Sequence, residues 1–528
     1  MLRKSYLIMV LVLGLESCTK DFQSINVDPT KPSAVPLSYL LGQSMVFMAS
    51  TSAAGINLGY GMMFSQQMAT LEIKGTFDGD KYFYEPTIDQ TFFVNAYPNA
   101  IKNLVNLIEL GKNDATQVNT VAIARILKAF EFSMLTDFYG DLPYFQAGEA
   151  YYEGTFQPAY DSQQSIYMDL LKELDEAGDQ FDASQPYPDA DFVYKDGTTT
   201  AVGDLIAKWK VFANSLMLRL AMRLTKVDPA NAQQWAVKAI GKGVMTDNSQ
   251  TFKFISAYTT TTTVNPNSMV MGPSDNASIG NQMLKTARLT WAETLIDLMK
   301  SRNDPRLPII AARNDPSSAI PNLVEGDHSI ANARGLQNGL DATTLKTMTG
   351  ETDASGFSRP RGVVIGSDDP NMLLTHAEVR FLKAEAIARG WVTGSAGDEY
   401  RAGQQAAILQ MQSYNPDNPA SAGDIAAYMA QNPYPDGSLD DNLAQIENEM
   451  YILTATTFNG YEAWANIRRT GLPVLTPVDY PGGQTGGAFP RRLIYPTSEA
   501  GLNPDGYQQA VSRMGGDLMT TRVWWDKQ

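Results

Sequence analysis

Apolar side chains recur with a period near 3.6 through most of this chain, and that period commits it to helices. Phe92 to Leu110, Val118 to Phe138, Ser162 to Ala177, Leu205 to Leu224 and Asn231 to Ile240 all carry it. The series resumes with Ala287 to Lys300, Leu373 to Ala388, Glu399 to Gln412, Asp424 to Gln431, Leu443 to Ala455 and Tyr461 to Arg468. Between these helices lie long irregular stretches, at 60–91, 183–202, 244–286, 303–371 and 470–528. Ordinary domains avoid loops of such length unless they carry function. "TTTTTVNPNS" at 259–268 and "GGQTGG" at 482–487 are turn-rich, and no stretch reads as a domain linker. One body is therefore expected, helical at its base, with loops forming a face.

Several helices come as adjacent pairs with short connections. Segments 373–388 and 399–412 flank a turn holding Gly390 and Gly394. Alanines stand where such a pair presses together: Ala384, Ala386 and Ala388, then Ala402, Ala406 and Ala407. These pairs resemble tetratricopeptide units, without a strict repeat of about 34 residues. The expected fold class is mainly α, a tetratricopeptide-like helix-pair scaffold with long irregular loops forming a ligand and partner face.

The chain has one cysteine, Cys18, and two histidines, His328 and His376. A lone cysteine closes no intramolecular disulfide, and the usual Cys/His metal sites are close to excluded. Arg3 and Lys4 precede an apolar run from Tyr6 to Leu15 interrupted only by Gly14. That length suits a secretory signal core and is too short to span a membrane. Leu15-Glu16-Ser17-Cys18 resembles a bacterial lipobox, with Glu16 unusual at its third position. The expectation is a signal peptide at 1–17 and a single helical domain at 18–528, lipidated at Cys18. Multiple acyl chains on one residue make an effectively permanent anchor. Thr19-Lys20-Asp21 resembles the short Lys-acidic signal that sends Bacteroidetes lipoproteins to the cell exterior. The net charge of −16 and pI near 4.7, with no Lys/Arg cluster, argue against a nucleic-acid partner.

Several further stretches follow the cysteine in a fixed order. They are "DFQSINVDPTKPSAVP" at 21–36, "TDFYGDLPYFQA" at 136–147, "PAYDSQQSIYMDLLKELDEA" at 158–177 and "KWKVFANSLMLRLAMRL" at 208–224. "NDPRLP" at 303–308, "LLTHAEVRFLKAEAIARG" at 373–390 and "GYEAWANIRRTGLP" at 460–473 come next. "FPRRLIYPTSEAGLNP" at 489–504 and "VWWD" at 523–526 close the series. In this order they resemble the SusD/RagB family of Bacteroidetes outer-membrane lipoproteins, in its SusD-like branch. The resemblance implies a nutrient-binding protein without catalysis or cofactor. It would cap a TonB-dependent SusC-like transporter on the outer membrane, hold an oligosaccharide, and pass it inward as a lid opens. RagB-like relatives bind peptides, so the ligand stays open between glycan and peptide.

The residues of these stretches read mainly as architecture. Gly140 to Pro143 break a helix, since Gly140 is free to take positive φ and Pro143 stops propagation. Arg219 and Arg223 lie four apart on one helix and can pair with acids. Asp304 with Arg306, and Arg468, Arg469, Arg491 and Arg492, suit ion pairs and carbonyl capping. No nucleophile elbow, H-E-x-x-H, phosphate loop or dinucleotide fingerprint occurs in the sequence. Among the 57 acidic residues none sits in a recognisable glycosidase context. A surface-anchored glycoside hydrolase and a purely adhesive protein are the competing classes. "PYPDGSLDDN" at 433–442 reads as a solvated turn, because the EF-hand spacing is absent.

Sugars are held by aromatic faces and planar polar groups. The richest aromatic loop is "FDGDKYFYEPT" at 77–87, which offers Tyr82, Phe83 and Tyr84 beside Asp78, Asp80 and Lys81. The family resemblance implies a platform drawn from this region and from the middle of the chain. There Tyr258, Asn265, Asn267, Arg288 and Trp291 are available. The expected contacts are Tyr82, Tyr84, Phe93, Tyr258 and Trp291.

Overall fold

Side-chain caps set where the helices begin. Ser162 accepts from the N–H of Ser165, Asp228 from Asn231, Thr375 from Glu378 and Ser395 from Asp398. Ser421 and Ser438 form reciprocal capping boxes with Asp424 and Asp441. Each cap satisfies a backbone donor that the first helical turn leaves open. The computed structural model describes residues 35–49, 55–75, 77–86, 90–195, 197, 199, 201–254, 264–271, 289–314, 326–414 and 420–527.

The helices of eight or more residues begin with α1 (Leu37–Met48), α2 (Lys102–Gly111), α3 (Val118–Tyr139) and α4 (Gln163–Gln180). Then come α5 (Val202–Arg223), α6 (Pro229–Lys242), α7 (Glu293–Ser301), α8 (Ala342–Thr349) and α9 (His376–Ala388). The last are α10 (Ala396–Leu409), α11 (Ala422–Gln431), α12 (Leu439–Thr456), α13 (Gly460–Thr470) and α14 (Pro504–Met514). Chain neighbours stack on one another from α1 to α6, and α9 packs on α10, on α12 and back on α5. The α9–α10 contact is close: a Cβ at Gly403 would lie 2.6 Å from the Phe381 ring. This is the helix-pair scaffold that the periodicity predicts.

The differences from expectation have local causes. The helix expected from Leu373 starts at His376, because Asn371–Leu374 pairs antiparallel with Phe252–Phe254 and Thr375 then supplies the cap. The helix expected from Ala287 starts at Glu293, because Thr290–Trp291 pairs with Met68–Ala69. Within 92–110 the chain takes a wide turn at Tyr97–Ile101, where Pro98 has no N–H for the regular ladder. Helices α1, α8 and α14 lie where the sequence reading placed no helix. Gly140 has φ +86 and ends α3, as expected, and Leu142–Pro143 then pairs with Tyr160–Asp161.

The core is aromatic and apolar, with Trp209, Trp291, Trp464 and Trp525 fully buried. Charged side chains are buried with it and cross-link helices far apart in sequence. Arg219 of α5 grips Glu378 of α9 at 2.6 and 2.7 Å. Arg223 grips Glu462 of α13 at 2.7 and 3.0 Å and approaches Asp137 of α3 at 3.3 Å. Asp137 also accepts from the Tyr167 hydroxyl and from the Trp525 indole. Arg469 bonds Glu385 at 2.8 Å and Glu447 at 2.9 Å. Arg468 donates to the carbonyls of Asp137 and Arg491, and its guanidinium lies 3.9 Å from the Trp464 ring centroid. Arg219, Arg223, Arg468 and Arg469, all from the family-like stretches, are therefore buried ties within the core.

A further tie joins the 302–306 turn to α12. Glu449 accepts from Arg302 at 2.6 Å and Arg306 at 3.1 Å, and the Tyr428 hydroxyl donates to it at 2.7 Å. Burial pushes the Glu449 carboxyl up, but Arg306 and Arg302 outweigh it and hold the group at about 2.

Candidate functional site

The loop singled out by its aromatics is built on one buried ion pair. Lys81 donates to Asp80 at 3.0 Å and to the Thr70 carbonyl at 2.7 Å, and both charged side chains are fully buried. The other Asp80 oxygen accepts from the N–H groups of Thr70 and Gly339, each at 3.3 Å. Burial raises the Asp80 carboxyl and Lys81 opposes that rise. Asp78 caps Gly75, and burial pushes its carboxyl up to about 6. The tight helical turn Gly79–Lys81 is thus drawn inward, and Glu72 to Lys74 on one side and Tyr84 on the other are left partly exposed.

A second segment, 476–484, clasps this loop. Tyr82 stands at φ +59, and its carbonyl accepts from Gln484 at 2.8 Å. Its hydroxyl accepts from the Val478 N–H at 3.3 Å. Only glycine fits at 483, where a Cβ would lie 2.7 Å from the Lys81 carbonyl. Phe83 meets the Tyr480 ring edge-on at 5.6 Å, and Tyr480 donates to Asp341 at 2.5 Å. The outer rim carries half-buried Tyr84, half-buried Tyr480, and Ile73 at 50% exposure. Gln90 donates to the Tyr84 hydroxyl at 3.1 Å, which fixes the ring beside the Thr497 hydroxyl.

The structure corrects three of the expected contacts. Trp291 has no exposed surface: its ring packs 5.4 Å from Phe458 and its indole N–H donates to the Ile310 carbonyl at 3.1 Å. Tyr82 is 1% exposed because its left-handed backbone turns the ring inward, against Phe64. Phe93 is 4% exposed, within a cluster formed with Tyr97, Tyr139 and Tyr495. None of these rings offers a face to a ligand. Asn265 and Asn267 are buried too: Asn265 donates to the Asp369 carbonyl and accepts from the Asn267 N–H, which is a capping role. Tyr84 remains at the surface. Tyr258, Arg288 and Cys18 lie outside the described residues.

Tyr480 and Asp341 were missed by the sequence reading. Tyr480 stands before Pro481-Gly482-Gly483, a turn signal, but nothing local says that the turn folds back onto residues 81–84. The rim can do what aromatic faces beside fixed polar groups do: stack on apolar C–H surfaces and accept hydroxyl hydrogen bonds. Among the described residues no three His, Cys, Asp or Glu gather as a metal site. None of the described helices is long and apolar enough to cross a membrane.

Comparison with known proteins follows the same line. The SusD-like family model, described as starch-binding associating with outer membrane, matches residues 29–496. A solved chitin-binding protein superposes with a TM-score of 0.79 at 30% identity, covering 93% of this chain and 100% of that one. A SusD-like protein of Bacteroidetes gives 0.79 at 25% identity, covering 94% and 100%. A chitin-binding SusD homolog from Flavobacterium johnsoniae gives 0.74 at 25% identity, covering 93% and 98%. No curated protein matches the chain.

Proposed function

Because the chain belongs to the SusD-like family, which is associated with the outer membrane, we propose that it binds oligosaccharides at the cell surface and performs no catalysis. The observation that carries this reading is the likeness, over 93% of the chain, to a chitin-binding protein at 30% identity. The rim of Tyr84 and Tyr480 supports it, since both rings are fixed by hydrogen bonds and half-open to solvent. Preorganised rings lose little freedom on binding, which favours the weak, repeated contacts that sugars make.

In this reading the domain begins at Cys18, which is acylated and anchors the protein to the outer face of the outer membrane. A SusC-like TonB-dependent transporter is its partner, and the anchor raises the local concentration of one at the other. Calorimetry on the soluble chain from residue 19, with chitin and malto-oligosaccharides, tests the ligand. Binding that weakens in Tyr84→Ala is the expected result. Binding of peptides with no glycan heat would move the protein to the peptide-binding class. Release of reducing ends would make it a hydrolase. Co-purification of a stoichiometric barrel with the acylated protein tests the partner, and recovery of the protein alone counts against it.

A further inference from the structure

A second site lies on different elements from the rim. The 303–309 turn, residues 328–330 and the first turns of α11 enclose an open cleft of about 330 Å³. That is at the lower end of the roughly 300–1,000 Å³ of small-molecule sites, enough for one sugar ring and too small for a chain of them. Pro305 and Ile330 supply apolar walls, and the buried Tyr428 ring supplies the floor.

The floor is rigid. Arg306 and Arg302 lie 5.4 and 5.9 Å from the Tyr428 ring centroid, and its hydroxyl is held by Glu449. The rim of the cleft is polar and open-handed. Asn303 stands at φ +51, a conformation held by its N–H on the Lys300 carbonyl, and its side-chain amide has no partner among the described residues. His328 faces Gly326 through Nδ1 at 3.4 Å, which leaves Nε2 over. Asp424 spends one oxygen on the Ser421 hydroxyl at 2.6 Å, which leaves the other. One amide, one imidazole nitrogen and one carboxylate oxygen therefore border apolar walls in a small cleft.

We infer that this cleft is a subsite for a single uncharged pyranose. Apolar walls suit the C–H faces of the ring, and the three open polar atoms match donors and acceptors on its hydroxyls. Among the described residues the only charged one lining the cleft is Asp424, on a chain of net charge −16, so sugar acids and peptide carboxylates are repelled. The inference rests on the carbohydrate reading above, but its residues are separate from Tyr84 and Tyr480.

The two histidines make a direct test. Their imidazole signals in ¹H–¹³C spectra are followed while glucose and N-acetylglucosamine are added separately to the soluble chain. The His328 signal is expected to move, saturating at a dissociation constant on the order of 1 mM. The His376 signal is the internal control, since that ring is buried and hydrogen-bonded to Arg380 and Asn248. Asn303→Gly, which suits the left-handed backbone, and Asp424→Asn, each compared with the parent by melting temperature, are expected to weaken binding by about 5-fold or more. A His328 signal that stays still with both sugars overturns the subsite, as does unchanged affinity in both variants. Oligosaccharide calorimetry on the same sample separates the two readings. Heat without a His328 shift removes only the cleft; no heat and no shift remove both. A shift with ammonium or acetate in place of sugar assigns the cleft to ions and also overturns the inference.

Discussion

The helical body and the rim loops both bury charge, but they do so over different distances. In the body, Arg219 to Glu378, Arg223 to Glu462 and Arg469 to Glu447 tie separate helices together across the core. In the rim, Lys81 pairs with its own neighbour Asp80, and the more distant segments are clasped to this loop by uncharged backbone donors of Gly339, Val478 and Gln484 rather than by ion pairs between helices. The body's ties specify which helix meets which, because a wrong pairing leaves a buried charge alone. The rim's ion pair specifies the path of its own loop, and single hydrogen bonds hold the other segments to it. Its aromatic edge can therefore differ between relatives without disturbing the scaffold, which is what a binding face on a shared fold requires.

Removing a body tie should do the most damage. Arg469→Ala strands Glu447 and takes a partner from Glu385, and a cost of about 3–5 kcal/mol is expected, read as a fall in urea midpoint at constant slope. Lys81→Met leaves Asp80 buried without its cation, at a cost of about 2–3 kcal/mol. Here the effect should stay local: amide exchange should quicken at 70–84 and 476–484, with α5 and α9 unaffected. Equal quickening in both regions would erase the distinction.

The next effect depends on pH. Glu131 of α3 is fully buried, neither carboxylate oxygen has a partner among the described residues, and burial pushes its carboxyl up to about 8. A carboxyl raised in the folded state binds its proton more tightly there than when unfolded. The stability it contributes is therefore complete below the unfolded value and is lost as pH rises to about 8. The expected slope is about 1.4 kcal/mol per pH unit across that window. Glu131→Gln should flatten it, so comparing the two stability profiles between pH 5 and 8 is the check (an unchanged slope would mean the carboxyl is solvated). The smallest effects belong to the surface. Arg334→Ala, at a half-buried surface pair with Glu351, should cost about 1 kcal/mol. Tyr84→Ala should be similarly mild for folding while weakening oligosaccharide binding.

Much of the scaffold is legible in the sequence because helical period and caps are local. Thr375, Ser395 and Ser421 start their helices where a cap residue stands before an apolar pattern. The short ladders were not legible: Thr290–Trp291 becomes a strand only because Met68–Ala69 lies beside it, some 220 residues away in sequence. The rim was half legible. Aromatic density pointed to 82–84, but density alone does not decide which ring faces out when Tyr82 takes a left-handed backbone. Trp291 shows the same limit, since a tryptophan reads alike as platform or core until its neighbours are known. Tyr480 reaches the rim through long-range contacts alone.

The most direct test is amide hydrogen exchange of the soluble chain with and without a saturating chitin or malto-oligosaccharide. The account predicts slow, ligand-independent exchange in α3, α5, α9 and α13, and new protection concentrated at 70–84 and 476–484. Protection centred on the body helices, or exchange there as fast as in the rim, would contradict it.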